Sequence, residues 1–197
     1  MISLDFEAAI HLHQWTALPS LIEEARPIAT EKLSAVFMDA ILSSDAPTTE
    51  VLRVVKLIIC TNHKALPNQT ALLRYLRCLF QLALPSPSSS TLSRSPPQGG
   101  SEADDNTNAS IAEAVLDQIL ALGRRSRSHQ GSGSEYPAEE LEWLATTTFN
   151  RAVDFYRESE DADCRRWAGK AIEVAELVDG GALGQLLRRN LGMLGLG

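Results

Sequence analysis

The stretch EYPAEELEWLATTTFNRAVDFYRESEDADCRRWAGKAIEVAEL, residues 135–177, determines the fold class of this chain. Its apolar residues recur at the three- and four-residue spacing of an amphipathic helix, before and again after a polar ESED segment. Pro137 suits a first helical turn, and Glu139 and Glu140 complement the positive end of the helix dipole. The core face predicted for the first helix consists of Leu141, Leu144, Ala145, Thr148, Ala152 and Tyr156. The stretch therefore predicts two packed amphipathic helices.

The second of these helices carries small residues at a characteristic spacing. Ala168, Ile172 and Ala175 follow the pattern of the second helix of a tetratricopeptide repeat, in which alanines let neighbouring helices approach closely. Ala145 and Ala152 could play the same part in the first helix. The pattern favours a repeat-type α-solenoid over a closed helix bundle, although no period of about 34 residues is visible elsewhere.

Helical periodicity continues through most of the remaining chain, and no convincing run of period two is present. We therefore predict an all-α fold of antiparallel helix pairs, a solenoid of the tetratricopeptide type. Gly123 is the expected C-cap of the helix that precedes the final pair. The predicted segments are helical repeats over 1–84, a disordered Ser/Pro-rich insert over 85–108, a helix over 109–126, a flexible insert over 127–135, and a helix pair with a tail helix over 136–197.

Composition restricts the classes of function. The chain has 197 residues and a formal net charge of -7, which argues against direct binding of a nucleic-acid backbone. The segment VLRVVKLIIC (51–60) is too short and too charged to cross a bilayer, and the start lacks a signal-peptide pattern. The three scattered cysteines, Cys60, Cys78 and Cys164, are typical of reduced thiols in the cytosol or nucleus. We expect neither membrane nor nucleic acid as a partner.

Few residues have the spacing of a catalytic or metal-binding site. Cys60 and His63 lie three residues apart and could contribute to a zinc site or form a nucleophilic pair. No second ligand pair follows, and a buried cysteine beside a capping histidine explains the spacing more simply. His11 and His13 lie two residues apart, which places them on different helix faces. Nucleotide-binding glycine motifs and the H-E-x-x-H zinc motif are absent from the sequence, so we predict no catalytic residue, no metal and no cofactor. The basic sequence GRRSRS (123–128) could contact nucleic acid or serve as a kinase target, although a solvated linker explains it more simply.

Trp143 and Asn150 lie seven residues apart, away from the predicted core face, and Phe149 adjoins Asn150. Tryptophan is enriched at the energetic centres of protein interfaces, so this edge could be an exposed docking site. Packing of the same edge on a neighbouring repeat explains the residues equally well.

The segment YPAEELEWLATTTFNRAVDFY (136–156), followed by DCRRWAGKAIEVAE (163–176), resembles the fungal members of a meiotic tetratricopeptide family, the sporulation-specific Spo-twenty-two/Zip-four type. LLRYLRCLFQLAL (72–84) looks like the preceding helix of the same family. Members are much longer α-solenoids, so the chain is similar to a C-terminal portion of one.

The resemblance implies a non-enzymatic scaffold of meiosis and sporulation, located in the nucleus on meiotic chromosomes. It implies partners among XPF-like and other crossover-promoting proteins and among components of the synaptonemal central region. An aromatic–asparagine pair associated with partner docking in the family corresponds here to Phe149 and Asn150, and we add Trp143 to the expected partner-binding residues. The alternatives are a generic repeat adaptor unrelated to meiosis and a small helical enzyme that uses Cys60 and His63.

Overall fold

The structure is a computed structural model that describes residues 1–62, 69–84, 101–128, 137–178 and 181–195. These residues form helices and connections without any strand, which confirms the prediction of an all-α fold with packed helix pairs. The α-helices are α1 Ile2–His11, α2 Leu18–Ala25, α3 Glu31–Leu42, α4 Thr48–Asn62, α5 Gln69–Ala83, α6 Ser101–Ser128, α7 Ala138–Arg157, α8 Asp161–Ala175 and α9 Ala182–Met193, and a 3-10 turn spans Arg26–Ile28.

The chain divides into two compact units, Met1–Glu113 and Ala114–Gly197. In the first unit, α1 contacts α2 and α3, whereas α4 contacts α2, α3 and α5. One helix pair therefore lies on the next, as in stacked helical repeats. Its core is made largely of fully buried aromatic and branched side chains, which include Phe6, Leu18, Ile22, Phe37, Ile41, Leu52, Ile58, Leu73, Leu76 and Phe80.

Local signals in the sequence explain where the helices of the first unit begin. The Thr30 hydroxyl accepts a hydrogen bond of 3.2 Å from the Leu33 amide, which caps the N-terminus of α3. Pro19 occupies the first turn of α2, where its missing N–H has no intrahelical partner to lose.

The Arg53 guanidinium on α4 donates a 3.0 Å hydrogen bond to the Trp15 carbonyl. This bond fastens the connection between α1 and α2 to the neighbouring helix.

In the second unit, α7 and α8 form an antiparallel pair because only the short connection Glu158–Glu160 joins them. Ser159 takes a left-handed conformation there, with φ of 64°. Small residues fill the seam between the helices as predicted. Ala145, Ala152, Ala168, Ala171 and Ala175 are all between 0 and 1% exposed, so the two backbones approach closely.

Ion pairs hold α8 against α6 and α9. Lys170 pairs with Asp117 of α6, and Arg188 of α9 pairs with Glu176 just beyond α8. A second ion pair between α6 and α8 joins Arg124 to Glu173 at 2.7 Å. The order of these contacts along both helices shows that α6 and α8 run in the same direction.

The prediction that Gly123 caps α6 is wrong, because the helix continues to Ser128. A Cβ atom at position 123 would lie 2.6 Å from the Leu177 side chain. The glycine therefore serves the close packing of α6 on the end of α8, a role that a single sequence does not distinguish from capping.

Two further expectations need correction. The helix predicted over 109–126 begins earlier, at Ser101, so the expected disorder is wrong for 101–108. The sequence SEADDN is acidic and therefore compatible with a helix N-terminus; the remainder of both predicted inserts, 85–100 and 129–135, lies outside the described residues. On α7, Tyr156 is 39% exposed and Phe155 is buried in its place, since the Phe155 ring packs 5.8 Å from that of Trp167.

Candidate protein-binding surface

The outward face of α7 presents a continuous uncharged surface. Trp143, Thr147 and Asn150 follow one another at four- and three-residue intervals, which places them on one side of the helix. We call these three residues the α7 edge. Asn150 is exposed, whereas Trp143 and Thr147 are half-buried. The edge lies opposite the core face formed by Leu141, Leu144, Ala145, Thr148 and Ala152, which is buried as predicted.

Phe149 does not belong to this edge. Its side chain is only 6% exposed, so the expectation that it is displayed beside Asn150 for a partner is wrong in this structure. The residue lies four positions after Ala145 and three before Ala152, both of which are buried. A large aromatic ring at that position turns toward the core and supports the helix from beneath.

Charged residues lie at both ends of the α7 edge and on its two flanks, where exposed Glu142 adjoins Trp143. Glu139 and Glu140 lie at its N-terminal end, and Asp154 lies one turn beyond Asn150. Arg151 flanks the edge, with a guanidinium nitrogen 3.9 Å from Asp154 and its guanidinium carbon 4.4 Å from the centre of the Phe155 ring. The surface thus combines an aromatic ring, a hydroxyl and an amide between acidic ends.

The α7 edge rests on a well-packed support. Beneath it, Leu144, Ala145 and Thr148 are completely buried, and α8 covers the opposite side of the helix. Binding to a preorganised surface avoids the entropic cost of ordering a loop. The side chains of the edge therefore offer hydrogen bonds and apolar contact on a rigid support.

Sequence reasoning missed a cleft in the first unit. It has a volume of about 570 Å³ and is lined by Glu7, Ile10, His11, His13, Val36, Asp39, Ala40, Ser43, Ser44 and Asp45. The two histidines were expected on different helix faces, but α1 ends at His11, and His13 follows with φ of 53°. Recognition of that helix end would have revealed their shared cleft. Within the described part of the chain, no three potential ligands are grouped to hold a metal ion.

The three cysteines are free and differ in environment. Cys60 on α4 is exposed, which contradicts the expectation of a buried thiol; it lies on the helix face away from the buried Val55 and Ile59. His63 lies outside the described residues. Burial raises the pKa of the Cys78 thiol, and burial together with the nearby Asp161 carboxylate raises that of Cys164. Both groups are therefore less prone to ionise than ordinary thiols.

Cys60 is expected to react much faster than Cys78 and Cys164 with a thiol reagent at neutral pH. The thiolate is the reactive form, and the two shielded thiols have raised pKa values and restricted access. Timed labelling of the native protein followed by peptide mass spectrometry measures the three rates. Cys60→Ser should remove the fast phase, and a fast phase that survives this substitution contradicts the assignment.

Within the described ranges, no helix combines the length and apolar character that a bilayer span requires. The chain matches no protein-family model, no curated protein and no solved structure.

Proposed function

We propose that this chain is a non-enzymatic scaffold of meiosis that binds other proteins and links crossover recombination factors to assembly of the synaptonemal complex. The observation that carries the binding role is the α7 edge, an uncharged aromatic and amide surface on a rigid helix pair. Stacked helices of this kind hold partners through extended surfaces and need no reaction to do so.

The chemistry of the edge indicates how a partner is held. The Asn150 amide can donate and accept hydrogen bonds at the same time, so it can pair with the exposed backbone of an extended segment or loop. The Trp143 ring supplies apolar area beside it, as expected of an interface hot spot. The acidic residues at both ends favour a partner segment with basic flanks.

The meiotic assignment is supported by the resemblance of 136–156, the segment that contains both Trp143 and Asn150. On this proposal the partners are crossover-promoting proteins and components of the synaptonemal central region. The site of action is the nucleus, on meiotic chromosomes. The buried Phe149 is assigned the supporting role described above, and the contact with the partner is assigned to Trp143 and Asn150.

The test is an affinity capture from meiotic cells with the wild-type chain and with a Trp143→Ala/Asn150→Ala variant as baits. Removal of a hot-spot side chain costs about 2 kcal/mol or more. The affinity for the partner should therefore fall by about 30-fold or more, and recovery of the partner should fall with it. The chain offers a matched control in Gln14→Ala/Trp15→Ala, which removes the same kinds of side chain from the first unit. Circular dichroism verifies that all baits are equally helical.

Each result has a distinct meaning. Crossover or synaptonemal proteins recovered by the wild type and the control but lost with the α7 variant support the proposal. Equal recovery by all three baits removes the α7 edge from consideration. Partners that depend on the edge but have no meiotic role indicate the alternative, a generic adaptor. An activity abolished by Cys60→Ser would instead indicate the enzyme.

A further inference from the structure

The first helix leaves an apolar strip uncovered. Phe6, Ala9 and Ile10 of α1 are buried, but Leu4 and Ala8 are exposed on the opposite side, as is Leu12 directly after the helix. These three residues follow each other at four-residue intervals. The side chains of Leu4 and Leu12 are each 66% exposed. We call Leu4, Ala8 and Leu12 the α1 face. Three aligned apolar residues on one side of a helix differ from apolar residues scattered singly over a surface, because together they form a continuous patch.

A second uncovered strip lies on α9. Gly184 and Leu187 of this helix are buried, whereas Ala182, Leu186 and Met193 are exposed on the other side. The exposed fractions of Leu186 and Met193 are 52% and 70%. These three residues form the α9 face. The two faces have comparable lengths, about 12 Å for α1 and about 16 Å for α9 at the rise of an α-helix.

The charges beside the two faces are opposite. Asp5 and Glu7 flank the α1 face, and α1 contains no lysine or arginine. Arg188 and Arg189 are the charged residues of α9, which contains no acidic residue. Arg188 pairs with Glu176, whereas Arg189 is exposed between Leu186 and Met193 and forms no ion pair with another described residue. Exposed Asp5 is likewise without an ion pair among the described residues.

We propose that copies of this chain associate head to tail, with the α1 face of one copy packed on the α9 face of the next. Apolar contact between the faces removes both strips from water, and Asp5 and Glu7 lie opposite Arg189 to fix the choice of partner face. The partner is a second copy of this chain, because acidic residues flank the α1 face and a basic residue lies on the α9 face. This proposal is independent of the α7 edge and of the meiotic assignment.

Two consequences follow from the geometry of such a contact. A head-to-tail contact uses different surfaces on the two copies, so it can be repeated to form an open chain. Stable interfaces bury about 800 Å² on each partner, which is more than two short helix faces provide. Association is therefore expected only at high protein concentration, with an average mass that rises continuously with concentration.

Blocking one face at a time gives the sharpest test. Leu4→Glu places a charge on the α1 face, Leu186→Glu places one on the α9 face, and analytical ultracentrifugation measures the mass of each variant. Either variant alone should lose self-association. An equimolar mixture should form a one-to-one dimer that grows no further, because each variant keeps the face that the other has lost. Ile28→Glu, an exposed apolar residue outside both faces, is the matched control and should associate like the wild type.

Charge reversal tests the pairing of the faces. Asp5→Arg and Arg189→Glu should each weaken association several-fold, and a chain that carries both reversals should recover it. Glu24→Arg reverses an exposed charge outside the faces and should have no effect. Circular dichroism verifies that every variant is folded.

Three results overturn the proposal. The first is a wild-type chain that stays monomeric at all concentrations. The second is association that only one of the two blocking variants abolishes, which indicates a symmetric contact between like faces. The third is a mixture of the two blocked variants that does not pair, which shows that the faces do not bind each other.

Discussion

Trp167→Ala is expected to lower the free energy of unfolding by about 3–5 kcal/mol, the range for removal of a large aromatic side chain from a core. The Trp167 side chain on α8 is 1% exposed, and its ring centre lies 5.8 Å from that of Phe155 on α7. Alanine at this position would leave a cavity in the middle of the seam between the two helices. Single domains are stable by about 5–15 kcal/mol, so the loss is a large part of the total.

Urea unfolding followed by circular dichroism measures this effect. Trp143→Ala removes the same side chain from the half-buried α7 edge and is the matched control, for which a much smaller loss is expected. Hydrogen exchange should show faster opening of α7 and α8 in the Trp167 variant. Equal losses in the two tryptophan variants would mean that Trp167 is not the centre of the α7–α8 core.

Phe37→Ala is expected to cause a loss of about 3–5 kcal/mol in the first unit. The Phe37 ring is completely buried and stacks on that of Phe6, with 4.3 Å between the ring centres and an angle of 24° between the planes. The substitution leaves a cavity at the point where the aromatic residues of α1 and α3 meet. Urea unfolding provides the free energy, and Val36→Ala on the 40% exposed neighbour is the control.

A double-mutant cycle of Phe37→Ala with Phe6→Leu isolates the contribution of the ring contact. Stacked aromatic pairs contribute about 0.5–1.5 kcal/mol beyond the area they bury, so the two changes should be non-additive by that amount. Strict additivity would contradict a direct contribution from the stacking and leave only burial.

The helical fold could be predicted from the sequence because a helix that buries one side has apolar residues at three- and four-residue spacing. Leu141, Leu144 and Ala145 were assigned to the core of α7 from spacing alone, and all three are buried. The small alanines of α8 likewise indicated close helix packing. Spacing was insufficient at the margin of the stripe, where the position of Trp167 decides that Phe155 is buried and Tyr156 is exposed.

The candidate site was only partly predictable, because helical spacing shows which side of a helix a residue lies on but not how its side chain packs against other helices. Asn150 and Trp143 lie opposite the core, and helical periodicity predicted that position. The burial of Phe149 depends on how far the ring turns toward neighbouring helices, which one helix does not encode. The shared cleft of His11 and His13 depends on where α1 ends, and the role of Gly123 depends on Leu177, a residue far away in the sequence.

The contacts of α6 with α8 also restrict where residues can be inserted in α6. Asp117, Gly123 and Arg124 all face α8, where they meet Lys170, Leu177 and Glu173. One residue inserted between Asp117 and Gly123 would rotate the rest of the helix by about 100°, and a side chain would replace the glycine at the crossing. An insertion of about seven residues restores the rotational phase but moves the following residues about 10 Å along the helix axis. Length variation between Asp117 and Gly123 should therefore occur only with a matching change in the length of α8.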